Sequence, residues 1–208
     1  MVVALLTAPV RAQKAPDNAP SASSNATPNS WAFSLTTSGF IVPGGESYVS
    51  PDSSADRGWL HLEARYHDEA LKTGSLWAGY NFSVGKKLVL NVTPMAGGVF
   101  GNLNGFAPGC AITLTYKRLR LYSSAEYVFS VQNCSNNFSC IWDQVNYSPL
   151  HWLQVGLVSQ RTRVYQTGLD VQRCALAGVT YKKVNFTTNI FNFGWTTPTK
   201  VLSLGFNS

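Results

Sequence analysis

The stretch from Trp59 to His67, WLHLEARYH, constrains this chain more than any other. Leu60, Leu62, Ala64 and Tyr66 alternate with His61, Glu63, Arg65 and His67. Successive side chains of a β-strand point to opposite faces, so one face here is apolar and the other carries ionisable groups. The split recurs along the chain. Leu76, Ala78, Tyr80 and Phe82 oppose Trp77, Gly79, Asn81 and Ser83. Leu119, Leu121, Ala125, Tyr127 and Phe129 oppose Arg120, Tyr122, Ser124, Glu126 and Ser130. Shorter segments at 88–93, 110–116 and 184–190 follow the same rule.

Each apolar row closes on an aromatic ring: Tyr66, Phe82, Tyr116, Phe129, Tyr181 or Phe206. In a soluble β-sandwich, the competing architecture, the apolar face would be a core of mixed aliphatic residues. Rings at the row ends instead suit the two interfaces of a membrane. Charged residues make up only 12% of the chain, which suits an outer surface facing hydrocarbon. No apolar run approaches the roughly 18 residues of a spanning helix. A sheet in hydrocarbon cannot leave an edge unpaired, so it must close on itself. The pattern therefore predicts an all-β fold, a closed antiparallel transmembrane β-barrel.

The last segment, Val201-Leu202-Ser203-Leu204-Gly205-Phe206, carries a resemblance. It is similar to the C-terminal strand of small Gram-negative outer-membrane β-barrel proteins, with an aromatic residue after alternating apolar ones. The departure is that Asn207 and Ser208 follow the phenylalanine. The resemblance implies an outer-membrane location, contact with outer-membrane lipids, and recognition of this strand by the barrel-assembly machinery. At the other end, Met1–Leu6 is apolar and Val10-Arg11-Ala12 fits a cleavage site. Residues 1–12 read as a signal-peptide remnant. Residues 13–30, rich in Pro, Ala, Ser and Asn, read as a disordered linker, and 31–208 as the barrel.

Turn spacing sets the strand count. Short basic connections fall at 84–87, 116–118, 159–162 and 181–183; longer ones fall near 68–74, 101–107, 132–148, 167–171 and 192–199. Outer-membrane barrels keep short turns in the periplasm and long loops outside. The alternation of the two classes yields about twelve strands, with ten as the alternative if 47–55 is a loop and the weak strand near 163–169 is lost. It also places Lys86, Lys87, Lys117, Arg118, Arg161, Lys182 and Lys183 on one periplasmic rim, either holding anionic headgroups or simply occupying solvated turns, which favour Lys and Arg.

Six inward residues are the candidates for a lumen or constriction: His61, Glu63, Arg65, His67, Arg120 and Glu126. They form either a charged constriction or a mutually neutralising ladder that fills the interior. Cys134 and Cys140 flank a short polar segment and are the disulfide candidates, while Cys110 and Cys174 read as unpaired thiols. No Cys/His spacing suits zinc, and no G-x-S-x-G elbow is present. Neither cofactor nor metal is expected. Despite a formal charge of +6, the basic residues are not interleaved with aromatics, so nucleic acid is not an expected partner. The leading functional expectation is a narrow pore for passive permeation of small solutes. The alternatives are a non-conducting structural or surface-interaction barrel and, as a minor reading, a lipid-modifying enzyme; no catalytic residue is assigned.

Overall fold

The computed structural model describes residues 30–192 and 198–208. The signal remnant and all but the last residue of the linker lie outside the described residues.

Thirteen strands run in chain order: β1 (Ala32–Ile41), β2 (Tyr48–Arg57), β3 (Leu60–Tyr66), β4 (Thr73–Tyr80), β5 (Phe82–Val84), β6 (Leu88–Gly101), β7 (Gly105–Tyr116), β8 (Leu119–Ser130), β9 (Phe138–Leu150), β10 (Leu153–Val164), β11 (Asp170–Tyr181), β12 (Val184–Phe191) and β13 (Lys200–Asn207). All pair antiparallel with their neighbours, and β1 pairs with β13 from Ser34↔Asn207 to Ile41↔Lys200. β4 and β5 both lie against β6 in one register, Gly79↔Met95 and Phe82↔Val92, so they are one traverse. The break falls opposite Pro94, which has no N–H to offer the ladder. The barrel thus has twelve traverses, as the turn alternation predicts.

The outer face is the apolar one. Leu62, Tyr66, Leu76, Tyr80, Leu121, Phe129, Leu204 and Phe206 are all exposed, and their strand neighbours point inward. An exposed apolar belt around a sheet with no free edge places the chain in the outer membrane. Phe100 lies across Gly74 on this outer wall, so closely that a Cβ there would meet its ring at 2.8 Å.

The seam extends past Phe206. The Ser208 backbone N–H donates to the Phe33 carbonyl at 2.9 Å, and the Phe33 N–H donates to Ser208 Oγ at 2.8 Å. Inside, the Ser38 and Ser203 hydroxyls meet at 2.8 Å across the same seam. The two residues beyond the terminal phenylalanine therefore complete the closing ladder.

Three connections differ from the sequence reading. Residues 159–162 lie within β10; the short turn is at 151–152, so His151 and Trp152 sit on the rim with the other short turns. The long loop is 131–137, and 138–148 belongs to β9. The ninth traverse runs over 153–164, and 165–169 is loop. The count survives because the eighth and ninth traverses shift together toward the N-terminus.

Cys134, in a short 3₁₀ turn, and Cys140, buried in β9, are both free thiols, so the expected disulfide is absent. Cys140 points into the barrel, where its sulfur lies beside Thr162 and Gln160. Cys110 and Cys174 are free, as expected.

Deleting Asn207 and Ser208 should lower the stability of the folded barrel by about 1–3 kcal/mol, the range for a few lost hydrogen bonds. The check is the temperature at which the compact band disappears on SDS gels; an unchanged temperature would show that the extension adds nothing to closure.

Candidate functional site

The interior changes character along its axis. Toward the short-turn rim the inward side chains are small or polar and half-buried: Ser34, Ser54, Asn81, Asn91, Thr93, Arg120, Gln154 and Thr180. Toward the long loops they are more deeply buried, and two apolar clusters pack among buried polar groups such as Thr36, Ser38, Gln160 and Gln172. One cluster joins Phe40, Trp142, Val158, Cys174, Leu176, Phe191 and Val201, with Trp142 and Phe191 edge to face at 6.0 Å. A second joins Ala70, Trp77, Met95, Val99, Leu103, Ala107, Val128, Phe138 and Cys140. Aromatic rings from β4, β9 and β12 thus narrow the interior of the long-loop half.

A polar ladder climbs through this narrowing on the β2–β4 side. Asp56 Oδ1 accepts from Asn81 Nδ2 at 2.7 Å and lies 2.8 Å from His61 Nδ1. His61 Nε2 lies 3.4 Å from Glu63 Oε2. Glu63 in turn receives Arg65 through a two-pronged contact, Nε at 2.8 Å and Nη2 at 3.0 Å. The other end of the guanidinium, Nη1, donates to Glu126 Oε2 at 3.0 Å and to Asp68 Oδ2 at 3.3 Å, with Glu69 Oε1 at 3.8 Å. Its plane lies over the Trp77 ring, 4.7 Å from the centroid. A planar cation with several fixed donors is suited to such a hub; a lysine would serve it poorly.

Alternation explains half of this arrangement. His61, Glu63 and Arg65 share the inward face of β3, and Glu126 shares that of β8. The other half comes from the 67–72 connection, which folds inward and buries Asp68, Glu69 and Ala70. Glu69 Oε1 accepts from Ser75 Oγ at 2.5 Å and from Trp77 Nε1 at 3.2 Å; its second oxygen has no partner among the described residues. Burial, reinforced by the neighbouring Asp68, pushes the Glu69 carboxyl above the ordinary carboxylate range.

Of the six predicted lumen residues, four meet in the ladder: His61, Glu63, Arg65 and Glu126. His67 does not. It turns off the strand at φ 62°, its Nδ1 lies 3.0 Å from the Val49 carbonyl, and its ring stacks on Tyr66. Arg120 points inward on β8 but nearer the short-turn rim, away from the Arg65 hub. The sequence reading missed Asp56, Asp68, Glu69 and Trp77 as members. Asp68 and Glu69 lie in a connection without period, where nothing in the sequence assigns a face. In the ladder, carboxyl groups of Asp56, Glu63, Asp68, Glu69 and Glu126 gather around Arg65 and His61.

No family model matches the chain, and no curated protein matches it. Solved structures do. The KdgM porin superposes with a TM-score of 0.58 at 9% identity, covering 83% of this chain and 98% of that one. The KdgM porin in complex with disordered oligogalacturonate gives 0.61 at the same identity and coverage. OccK3 (OpdO) of Pseudomonas aeruginosa gives 0.47 at 9% identity over 84% of this chain and 65% of that chain. The likeness is one of fold: this chain shares the barrel architecture of an outer-membrane porin.

Arg65→Gln should be strongly destabilising, by about 3–5 kcal/mol, because it strands buried carboxylates without their cation. Adding Glu126→Gln should recover part of the loss. Urea unfolding of the refolded barrel measures both, and full stability of the single variant would remove the hub role. Glu69 adds a pH dependence. A carboxyl raised in the folded state contributes stability that is complete below its unfolded value and is lost as pH rises through the folded one. The wild-type barrel should therefore weaken above the ordinary carboxylate range, with a change in fluorescence from Trp77, its hydrogen-bond donor. Glu69→Gln should flatten that dependence.

Proposed function

We propose that the chain forms a narrow outer-membrane pore for passive permeation of small solutes, with cations and neutral molecules favoured over anions. The observation that carries this reading is the continuous polar ladder from Asp56 to Asp68, which runs from the polar short-turn half of the interior in among the apolar clusters of the long-loop half. A ring or row of carboxylates in a low-dielectric wall attracts cations and repels anions. The likeness to porins supports the class of function, and the acidic ladder argues against borrowing the neighbour's ligand. Oligogalacturonate is a polyanion and would meet like charge here. The proposal includes short turns in the periplasm and assembly through β13.

Catalysis is outside the proposal. Both ring nitrogens of His61 face carboxylates, so neither stands free to activate a hydroxyl. The non-conducting barrel is kept as a second reading on one observation: Trp142, Phe191, Val128 and Ala107 are almost wholly shielded, as in a packed core.

Planar-bilayer recording of the refolded protein under a potassium chloride gradient decides between the two. Discrete steps reversing on the cation side support the pore, and a silent bilayer supports the structural barrel. Glu63→Gln should shift the reversal potential toward zero, since it removes charge from the middle of the ladder. Steps with unchanged selectivity would make the ladder mere filling.

A further inference from the structure

Three arginines stand on the outside of the barrel toward its long-loop end, where a membrane-spanning wall is expected to be apolar. Arg161 and Arg163 are outward residues of β10, and Arg173 is an outward residue of β11. In the register, Arg173 lies opposite Ser159, which sets Arg161 on its diagonal, about 7–8 Å away. Arg163 lies two residues further along β10 and roughly 14 Å from Arg173, by strand rise and spacing. All three lie within roughly 10 Å of the long-loop ends of their strands and far from the short-turn rim. Arg161 is engaged by Asp143 of β9, whose other oxygen accepts from Ser123 Oγ at 2.8 Å. Arg163 and Arg173 are exposed and have no ion-pair partner among the described residues. Lys200, also outward and at the same end, adds a further positive charge two strands away from β11.

Uncompensated charge on a lipid-facing wall is costly unless it meets a headgroup of opposite sign. With short turns in the periplasm, this end of the wall lies in the outer leaflet. We propose that Arg163 and Arg173, flanked by Arg161, bind a bisphosphorylated glycolipid headgroup of the lipid A type. Guanidinium groups pair with phosphate oxygens through two parallel hydrogen bonds, which an ordinary point charge cannot match. A headgroup with phosphates at the two ends of a disaccharide fits the span between the outer arginines; a single-phosphate phospholipid engages only one. The proposal rests on the assigned orientation and not on whether the lumen conducts.

Native mass spectrometry of the full refolded chain in detergent, titrated separately with bisphosphorylated lipid A, dephosphorylated lipid A and phosphatidylglycerol, tests this. The bisphosphorylated form should bind at least about tenfold more tightly than either of the others, and 0.5 M salt should weaken it (order-of-magnitude expectations). R163Q/R173Q should lose about tenfold in affinity, while K182Q/K183Q on the opposite rim should not. Equal binding of the dephosphorylated form, or of phosphatidylglycerol, overturns the proposal. So does a lipid-independent dimer that R163Q/R173Q abolishes, which would make the patch a protein interface. Should the double variant lose its compact gel band, the three-lipid comparison on the wild-type chain still decides.

Discussion

Everything in this structure follows from the rule that a backbone in hydrocarbon must pair all its polar groups with itself. Twelve traverses satisfy it only if the last meets the first, so the β1–β13 seam is the contact on which the rest depends. Ser208, bonded to Phe33 by backbone and side chain, carries the pairing to the end of the chain. Closure in turn fixes the two faces. Once the sheet is a cylinder, every second residue belongs to lipid and every other to the interior, and the chain's low charge content becomes an asset to its outer surface.

The division is not uniform along the axis, and that is the second constraint. Toward the short turns the pattern is apolar outside and polar inside. Toward the long loops β9 and β10 reverse it: Phe138, Cys140 and Trp142 point inward, while Ser139, Asp143, Arg161 and Arg163 point out. One physical cause joins the two features. An interior packed with rings needs no outward apolar row to define the strand, and a wall that rises to headgroup level tolerates outward charge.

This reversal explains what was legible in the sequence and what was not. β3, β4, β8 and β12 keep the ordinary alternation, and their faces, including inward Glu63, Arg65 and Glu126, could be read directly. β2, with Ser50, Asp52, Ser53, Ser54 and Asp56, has no apolar row, and only turn parity demanded it. In β9 the inverted pattern looked like a loop with aromatic residues, which displaced the following turn onto Ser159–Thr162 and sent Arg161 to the wrong rim. The Cys134–Cys140 pairing failed for the same reason, since it assumed a loop where Cys140 lies in a strand facing the interior. Asp68 and Glu69 were invisible because a connection has no period; Asp68 is held by the Arg65 guanidinium and Glu69 by the Ser75 hydroxyl and the Trp77 indole N–H.

The same alternation explains how a porin barrel can be shared at 9% identity. Outward residues answer to lipid and need only be apolar, and backbone pairing is indifferent to side chains. Closure can therefore be conserved as a geometry while nearly every residue differs. Inward residues are under no such common demand, and there the two proteins are free to part. The inward face here carries Arg65 and Arg120 together with the carboxyl groups of Glu63 and Glu126, an arrangement set by this chain's own sequence. Resemblance in the wall thus carries the architecture, and the inward face of β2, β3, β4 and β8 must decide what, if anything, passes through it.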